Sequence, residues 1–311
     1  MNNIKTYKKW LSFILEVKKT MDHLDFKEVI TSTLVESPAM EAYLEGFKIE
    51  GEDIYLPTSP EFGLKKIWLS GDLEFEKIYE VSKSFRAKED QSPFHLPEFT
   101  MLEFYQCAGH FDEFIESVFG VCKALLDLPK NFKASYVSLP ALFHSLTGLK
   151  IEPEHSIEDF RSLCLSLSIH VNEDDSLNDL FQRLYLEVIE PSISKKDFVV
   201  IKDYPPFLSG LAKISNKGWA ERFEFYFQGI ELANGYNELL DETEVKKRWD
   251  EENNIRERNG MKKHPLDEKL LSVLKKSKVK EGYGVAIGLE RIFYLSEKTK
   301  GNTIALEDTQ V

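Results

Sequence analysis

The sequence predicts an α+β protein in which an antiparallel β-sheet is flanked by helices. Residues 78–83 and 99–105 alternate polar and apolar side chains, which is the pattern of two strands. A polar loop containing Pro93 and Pro97 separates them, and since proline is excluded from central strands, the two segments form a long hairpin. Apolar residues at helical spacing predict an amphipathic helix over residues 4–22.

The other elements are predicted from the same periodicities. The patterns predict a strand over residues 26–34 that leads to Pro38, helices over 111–128, 140–146, 157–167, 177–189, 241–259 and 267–276, strands over 198–201 and 283–288, and a last helix from Leu289. Alternation around Phe223, Phe225 and Phe227 predicts a half-buried strand. Ser59 is expected to cap a helix whose first residue is Pro60. We expect residues 1–311 to form a single domain with a helical insertion at about 130–195.

Composition excludes several classes of protein. With 42% hydrophobic residues in 311, the chain can fill a sizeable core and is not expected to be disordered. A net charge of −13 argues against broad, non-specific binding of nucleic acid. The three cysteines form no CxxC pair and are expected to be free thiols in a reducing compartment. No apolar run reaches membrane-spanning length and no signal core is present, so we expect a cytoplasmic protein that does not contact membranes.

One stretch of the sequence is basic. Residues 262–280 hold seven lysines and two acids. Such a run is usually solvated surface, and the alternative is a face for an acidic protein partner.

The hairpin carries the side chains that could perform chemistry. Arg86 follows its first strand, while Glu98, Glu103 and Tyr105 lie on the second. An arginine presents a planar fork that binds a phosphate or a carboxylate, and a carboxylate can hold an ammonium group or a metal ion. This combination suits a small zwitterion bound beside a nucleotide.

Four blocks resemble the lysyl branch of the class II aminoacyl-tRNA synthetases. Arg86 with residues 95–105 (HLPEFTMLEFY) is similar to motif 2, and residues 284–291 (GVAIGLER) are similar to motif 3. Residues 36–38 lie where motif 1 ends in its proline, and residues 229–239 (GIELANGYNEL) resemble the block before motif 3. Because the blocks occur in the order of the family, the resemblance covers almost the whole chain. It implies a class II catalytic domain and a homodimer formed through the first helix and strand.

The resemblance implies an ATP site that uses Mg²⁺. Arg86 would bind the α-phosphate and the amino acid carboxylate, Phe99 would stack on adenine, and Arg291 would cover the other face and reach the γ-phosphate. Glu231 would bind Mg²⁺ and phosphate, since a carboxylate is a hard ligand for a hard cation. The other residues implied to line the nucleotide site are Glu89, His95, Leu96, Leu232 and Gly288. Without the resemblance, Phe99 would be interpreted as a core residue.

The same resemblance implies an amino acid pocket for lysine or (R)-β-lysine. Glu61 would contact the amino group, whereas the residues alone favour a helix-dipole carboxylate there. Asn234 would contact the carboxylate, and Tyr105 with Glu238 would hold the far ammonium group. The other residues implied to line this pocket are Ser59, Pro60 and Ala286, where lysyl-tRNA synthetases have glycine in place of Ala286.

The expected acceptor is a protein. Motif 1 arrives by residue 38, which leaves no room for the anticodon-binding OB domain of lysyl-tRNA synthetases, so tRNA is disfavoured. A free-standing catalytic core of this length resembles the elongation factor P–(R)-β-lysine ligases, which transfer β-lysine to a lysine of elongation factor P. The alternatives are a lysyl-tRNA synthetase-like ligase for another amino acid or acceptor, and a non-catalytic regulatory paralogue.

Three positions depart from the family pattern. Lys88 is an additional residue that moves the first acid of motif 2 to Glu89. Leu96 replaces an asparagine, and Glu290 replaces the aspartate before the motif 3 arginine. None of these changes removes a central charge, so the resemblance still implies activity.

Overall fold

The computed structural model describes residues 2–71, 75–88, 94–107, 109–154, 156–305 and 309. The chain divides into two compact units. The first unit contains the chain up to Lys130 and from Glu238 onward, and the second is Asn131–Asn237. Among the described residues, no helix is both long enough and apolar enough to cross a membrane.

The first unit begins with a long helix and a hairpin. Its elements are α1 (Asn2–His23), β1 (Lys27–Glu28), α2 (Glu61–Ser70), β2 (Lys77–Phe85), β3 (Glu98–Cys107) and α3 (Phe111–Leu125). The predicted first helix, the hairpin and the helix from Phe111 are therefore confirmed. The predicted inward face of α3 is buried throughout, namely Phe114, Val118, Val121, Cys122 and Leu125.

The second unit is built from helices followed by strands. Its elements are β4 (Ser135–Ser138), α4 (Leu139–Thr147), α5 (Ile157–Ser166), α6 (Leu177–Leu184), a π-helical turn (Tyr185–Ile189), α7 (Glu190–Ile193), β5 (Phe198–Tyr204), a 3-10 turn (Pro206–Leu208), β6 (Ala220–Phe227) and β7 (Ile230–Asn237). Serine side chains accept hydrogen bonds from the first turns of α4, α5 and α6, as the N-cap position requires. An aromatic cluster that includes Phe143, Phe160 and Phe181 forms the centre of this unit's core.

The first unit is completed by the last part of the chain. Its elements there are α8 (Glu242–Arg258), α9 (Glu268–Lys276), β8 (Gly282–Gly288) and α10 (Leu289–Thr299). Asp241 and Asp267 cap α8 and α9 by accepting hydrogen bonds from backbone N–H groups of the first turn. The predicted helices and the final strand are confirmed.

Strand pairing in the first unit determines which side chains are neighbours. β2 pairs antiparallel with β3 and sets Ser84 opposite Phe99. β3 also pairs antiparallel with β8, which sets Ala286 opposite Glu103 and Gly284 opposite Tyr105. β1 pairs with β2 in the parallel sense, and in the second unit β4 pairs with β5 in the same way. The antiparallel hairpin at the centre of the prediction is thus confirmed, and these two parallel pairs were not predicted.

The predicted strand over residues 26–34 is wrong for most of its length. β1 covers only Lys27–Glu28, and the last backbone bond of this segment to β2 runs from the N–H of Val29 to the carbonyl of Tyr79, at 2.9 Å. The N–H of Thr31 is donated instead to the side chain of Glu80, at 3.0 Å, and Ile30 is 86% exposed. The apolar pattern of residues 26–34 therefore does not indicate burial against the sheet along the whole segment.

Two smaller predictions are also corrected. The helix predicted from Pro60 begins one residue later, at Glu61, so the N-cap residue is Pro60 and the prediction that Ser59 caps this helix is wrong. β6 is buried on both faces rather than half-buried, because Glu224 and Tyr226 are enclosed by hydrogen bonds to each other and to neighbouring side chains. The four-residue strand β4 was not predicted, because it is too short to show a periodicity.

Candidate active site

Arg86 and Phe99 form one side of the candidate site. Arg86 directly follows β2, and its guanidinium carbon lies 5.1 Å from the centre of the Phe99 ring on β3. Its Nε donates to the carbonyl oxygen of Thr58, at 3.4 Å. Both side chains are half-buried, so part of each remains accessible to solvent. A guanidinium over an aromatic face is a favourable cation–π arrangement, which holds the arginine in place.

The other nucleotide residues predicted in the first unit lie on the hairpin and on the last helix. His95 is exposed and Leu96 is half-buried, just before β3. Gly288 is the N-cap residue of α10, and Arg291 in the first turn donates from Nη2 to the carbonyl of Phe94, at 3.5 Å. Glu89 lies outside the described residues.

A cluster of buried acids surrounds the side chain of Lys65 on α2. The ammonium nitrogen of Lys65 lies 2.6 Å from Oε2 of Glu238 and 2.7 Å from Oε1 of Glu61, one turn earlier on the same helix. Tyr105 on β3 donates its hydroxyl to Oε1 of Glu103, at 2.5 Å, and its ring centre lies 5.9 Å from the ammonium. The predicted pocket residues Glu61, Tyr105 and Glu238 are therefore brought together.

Besides Oε2 of Glu238, which is ion-paired with Lys65, two carboxylate oxygens in this cluster have no hydrogen-bond partner among the described residues. They are Oε2 of Glu103 and Oε1 of Glu238, each on a side chain that is about 2% exposed. A buried acceptor without a donor is unfavourable by roughly 1–3 kcal/mol. The cluster is thus able to accept additional N–H donors.

Burial and neighbouring charges shift the pKa values of these groups. Burial raises the pKa of Glu238 to about 7, although Lys65 opposes the shift. Burial, followed by the charge of Glu61, raises the pKa of Glu103 well above its ordinary value. Burial alone would lower the pKa of Lys65, but the charges of Glu238 and Glu61 outweigh burial and raise it. Burial and the adjacent Glu103 raise the pKa of Tyr105 as well.

Glycine and alanine on β8 form the floor beneath the acids. A β-carbon added at Gly284 would lie 2.3 Å from Oε1 of Glu238 and 2.4 Å from Cε1 of Tyr105. Since real atoms do not approach so closely, only glycine permits these two side chains to occupy their positions. Ala286, two residues on, is half-buried beside Glu103 on the paired strand.

Glu41 links the acids to the arginine. Burial and the charge of Glu61 raise the pKa of Glu41, while Arg86 opposes that shift. Glu41 therefore lies within electrostatic range of both residues. Its segment is held by α8, where Glu252 accepts a 2.6 Å bond from the N–H of Ala42.

Ser59 and Pro60 immediately precede α2 in the chain. Together with Ser37 and Lys66 they line a cavity of about 350 Å³. Glu61 donates its N–H to Oγ of Ser59, at 3.3 Å, so Ser59 contributes to positioning the first residue of the helix.

The other predicted residues belong to the second unit. Glu231, Leu232 and Asn234 lie on β7, where Leu232 is buried and the other two are half-buried. Asn234 accepts a 3.1 Å bond at Oδ1 from Nε of Arg222 and donates from Nδ2 to the hydroxyl of Tyr236, at 3.0 Å.

Arg222 and Glu224 form a buried network in the second unit. The guanidinium of Arg222 pairs with Glu224, donates to the carbonyl of Leu208 at 2.6 Å, and lies 4.7 Å from the ring centre of Tyr204. Tyr204 and Tyr226 each donate a hydroxyl to Oε2 of Glu224, at 2.6 Å. Arg222 thereby fixes the orientation of the Asn234 amide.

In the described part of the chain, no group of three or more His, Cys, Asp or Glu side chains could hold a metal by itself. Glu231 is half-buried and provides one carboxylate on β7. Mg²⁺ is commonly bound by one or two carboxylates together with substrate phosphates, and the residues fit that mode.

Sequence reasoning missed several of these residues. Lys65 follows Glu61 at i,i+4 spacing, which usually indicates a pair on an exposed helix face. Arg222 and Glu224 stand on a strand whose polar residues were assigned to solvent. Glu41 lies in a loop without a motif. Glu103 was not missed, because the sequence analysis already placed it on the hairpin as a carboxylate that could hold an ammonium group or a metal ion.

Comparisons with known proteins agree with the order of the motifs. Residues 3–301 match the family model described as tRNA synthetases class II (D, K and N). An "Elongation factor P--(R)-beta-lysine ligase" of Haemophilus influenzae is 31% identical over 304 residues, which are 94% of this chain and 91% of the relative. Proteins of the same name from Yersinia enterocolitica and Pectobacterium atrosepticum are each 31% identical, over 92% and 93% of this chain and 89% and 90% of the relatives.

Proposed function

The chain belongs to the class II tRNA synthetases (D, K and N), within the family of the elongation factor P–(R)-β-lysine ligases, and we propose that it activates a diamino acid for transfer to elongation factor P. The observation that carries the proposal is the buried acid cluster of Glu61, Glu103 and Glu238. Its two unpartnered oxygens call for donors from a cationic ligand. We treat residues 1–311 as one catalytic domain with an insertion at about 130–195.

The acid cluster supports (R)-β-lysine or lysine as substrate. Glu61 is proposed to receive the amino group near the carboxylate, and Tyr105 with Glu238 to receive the far ammonium. A neutral side chain in this place would leave buried carboxylates without donors, which is why such sites discriminate strongly against uncharged analogues. Ala286, beside Glu103 on the floor of the pocket, is proposed to influence the choice between the two isomers.

ATP is the proposed second substrate. Arg86 is proposed to bind the α-phosphate and the amino acid carboxylate, and its partial exposure beside Phe99 supports this role. Arg291, His95, Leu96, Gly288 and Glu89 are proposed to line the nucleotide site with Phe99. In the second unit, Asn234 is proposed to contact the substrate carboxylate, and Leu232 to lie beside the nucleotide.

Mg²⁺ is the proposed cofactor, and Glu231 would hold it together with the nucleotide phosphates. When bound, the ion supplies neutralisation of phosphate charge. The arginines of this chain contribute positive charge and fixed geometry toward the same end.

The proposed reaction has two steps. A carboxylate oxygen of the amino acid attacks the α-phosphorus of ATP, the bond from that phosphorus to the bridging oxygen breaks, and pyrophosphate leaves. The amine of an acceptor lysine then attacks the carbonyl carbon of the adenylate and loses a proton as AMP leaves. Positioning and charge neutralisation suffice for the first step, so it requires no covalent enzyme nucleophile.

The proposed acceptor is elongation factor P, a translation factor, and this role favours a cytoplasmic location. We further infer a homodimer formed through α1 and the segment that follows it. Large apolar residues on this part of the chain are exposed, including Leu15 at 60%, Ile30 at 86% and Leu34 at 51%. Covering them with a second copy would remove apolar surface from water.

ATP–pyrophosphate exchange tests the proposed activation. We expect exchange with (R)-β-lysine and weaker exchange with α-lysine, and none with norleucine, which lacks the far ammonium. Arg86→Ala is expected to abolish exchange, while Lys246→Ala, which breaks an exposed ion pair on α8, is the matched control. Exchange with a neutral amino acid would indicate a different ligase, and no exchange with any amino acid would indicate a regulatory protein.

A further inference from the structure

Lys65 is an unusual residue to find inside an ammonium-binding pocket. Its side chain is 3% exposed and carries a positive charge of its own. Its nitrogen bridges two acids from different elements, namely Glu61 on α2 and Glu238, which follows the second unit in the chain. Burying an ammonium is unfavourable unless carboxylates surround it, and here two lie within 2.7 Å.

The bridge leaves part of each acid group available. Lys65 contacts Oε2 of Glu238 and not Oε1, which has no partner among the described residues. Glu103 likewise retains an unpartnered oxygen after accepting the Tyr105 hydroxyl. The internal ammonium therefore does not fill the pocket, and acceptors for a second cation remain.

The charges that face Glu238 come from two elements. Lys65 and Glu61 face it from α2, and Glu103 with Tyr105 face it from β3. Glu61 also faces Glu41, and its charge contributes to raising the pKa of Glu41 after burial. Lys65 is the cation within this group, so its charge is what keeps a deprotonated Glu238 tolerable near neutral pH.

We propose that Lys65 is the positioning residue of the amino acid pocket: it bridges Glu61 and Glu238, favours the charged form of Glu238, and holds the two carboxylates aligned for the two amino groups of a diamino acid. This inference rests on the proposed function. In this proposal, Lys65 connects Glu61, which would bind the near amino group, with Glu238, which would bind the far ammonium group. Lys65 acts through these acids and not on the reacting atoms.

The first test replaces Lys65 by methionine, which has a similar length and no charge. In pyrophosphate exchange we expect Lys65→Met to raise the KM for the diamino acid by roughly tenfold or more, since one pKa unit corresponds to a factor of ten. The KM for ATP should change little, because Arg86 and Phe99 do not contact Lys65. Lys65→Arg, which keeps the charge, should recover part of the loss, and Lys246→Met is the surface control.

The second test separates coupling from a loss of folding. The double variant Lys65→Met, Glu238→Gln removes both charges of the buried pair, so neither charge is left uncompensated. We expect Lys65→Met to have much less effect on the KM in the Glu238→Gln background than in the wild type. An equal effect in both backgrounds would mean that Lys65 only supports the fold, and would overturn the proposal.

The third test does not depend on activity. In protein labelled with carboxyl-labelled glutamate, the NMR titration of Glu238, assigned with Glu238→Gln, should have its midpoint near 7 in the wild type and higher in Lys65→Met. An unchanged midpoint would overturn the proposal. If the midpoint moves and wild type exchanges no lysine isomer, the proposed function fails while the role of Lys65 in charging Glu238 stands.

Discussion

We expect Glu238 to contribute the titration near neutral pH to the candidate pocket. Burial raises its pKa from 4.5 to about 7, with Lys65 opposing the rise and Glu61 adding to it. A carboxyl group with this pKa is partly protonated near neutrality, and its protonated form has no charge to offer an ammonium group. Affinity for a cationic amino acid should therefore increase as the pH rises through 7 and decrease as it falls below.

The dependence of kcat/KM on pH below neutrality tests whether the ionisation of Glu238 controls binding of the diamino acid. We expect kcat/KM for the diamino acid, measured by pyrophosphate exchange, to fall about tenfold per unit of pH below about 7, because kcat/KM reports the free enzyme. Glu238→Gln should lower kcat/KM by roughly 100-fold or more and remove this pH dependence. A pH dependence that persists in Glu238→Gln would assign the titration to another group.

Among single side chains, the sequence predicted the groups that belong to motifs. Glu61, Tyr105 and Glu238 were predicted as one pocket, and they lie together around a common ammonium. The ammonium itself, Lys65, was not predicted, because a Glu–Lys pair one turn apart looks the same on a buried and on an exposed helix face. Only the packing of α2 against β3 and β8 distinguishes the two.

Among the elements, α10 is tied to the hairpin by Glu290. Both carboxylate oxygens of Glu290 accept the backbone N–H of Thr100 on β3, each at 2.8 Å, and the side chain is 3% exposed. Burial raises the pKa of Glu290, while the Thr100 N–H opposes that shift. This contact places the first turn of α10, and with it Arg291, against the strand that carries Phe99. Glu290, which stands where the family pattern has aspartate, therefore still connects α10 to β3 through the N–H of Thr100.

Removing this connection should destabilise the first unit. Glu290→Ala would leave the Thr100 N–H buried without an acceptor, so we expect the free energy of unfolding to fall by roughly 2–3 kcal/mol. Glu290→Gln retains an acceptor oxygen and should lose less. Urea denaturation measures both, with Glu281→Ala at an exposed site as the control. A similar loss in Glu281→Ala, or none in Glu290→Ala, would contradict this role.

At the scale of elements, periodicity predicted the helices and the hairpin more reliably than the edges of the sheets. The inward face of α3 repeats over four turns, and every residue predicted to be buried there is buried. The segment 26–34 has an apolar pattern of similar quality, yet Thr31 bonds to a side chain and the strand stops. The residue at which a strand ends depends on its contacts with the neighbouring strand. A local sequence pattern holds no information about those contacts.

Across the whole molecule, the predicted residues are shared between the two units. The first unit holds Arg86, Arg291 and the acid cluster, while the second holds Glu231 and Asn234 on β7. The family match spans residues 3–301 and so includes both. The order of the motifs was visible in the sequence. The networks that orient single side chains, such as Arg222 on Asn234, were not, because their members come from separate strands.

The proposed activity ends with the transfer of the activated amino acid to a protein. The most direct measurement is the intact mass of elongation factor P after incubation with this protein, ATP, Mg²⁺ and (R)-β-lysine. We predict a mass increase of one β-lysyl group that requires ATP and is lost with Arg86→Ala or with the acceptor lysine changed to arginine. Exchange of pyrophosphate with no change in the mass of elongation factor P, and aminoacylation of tRNA in its place, would contradict the account.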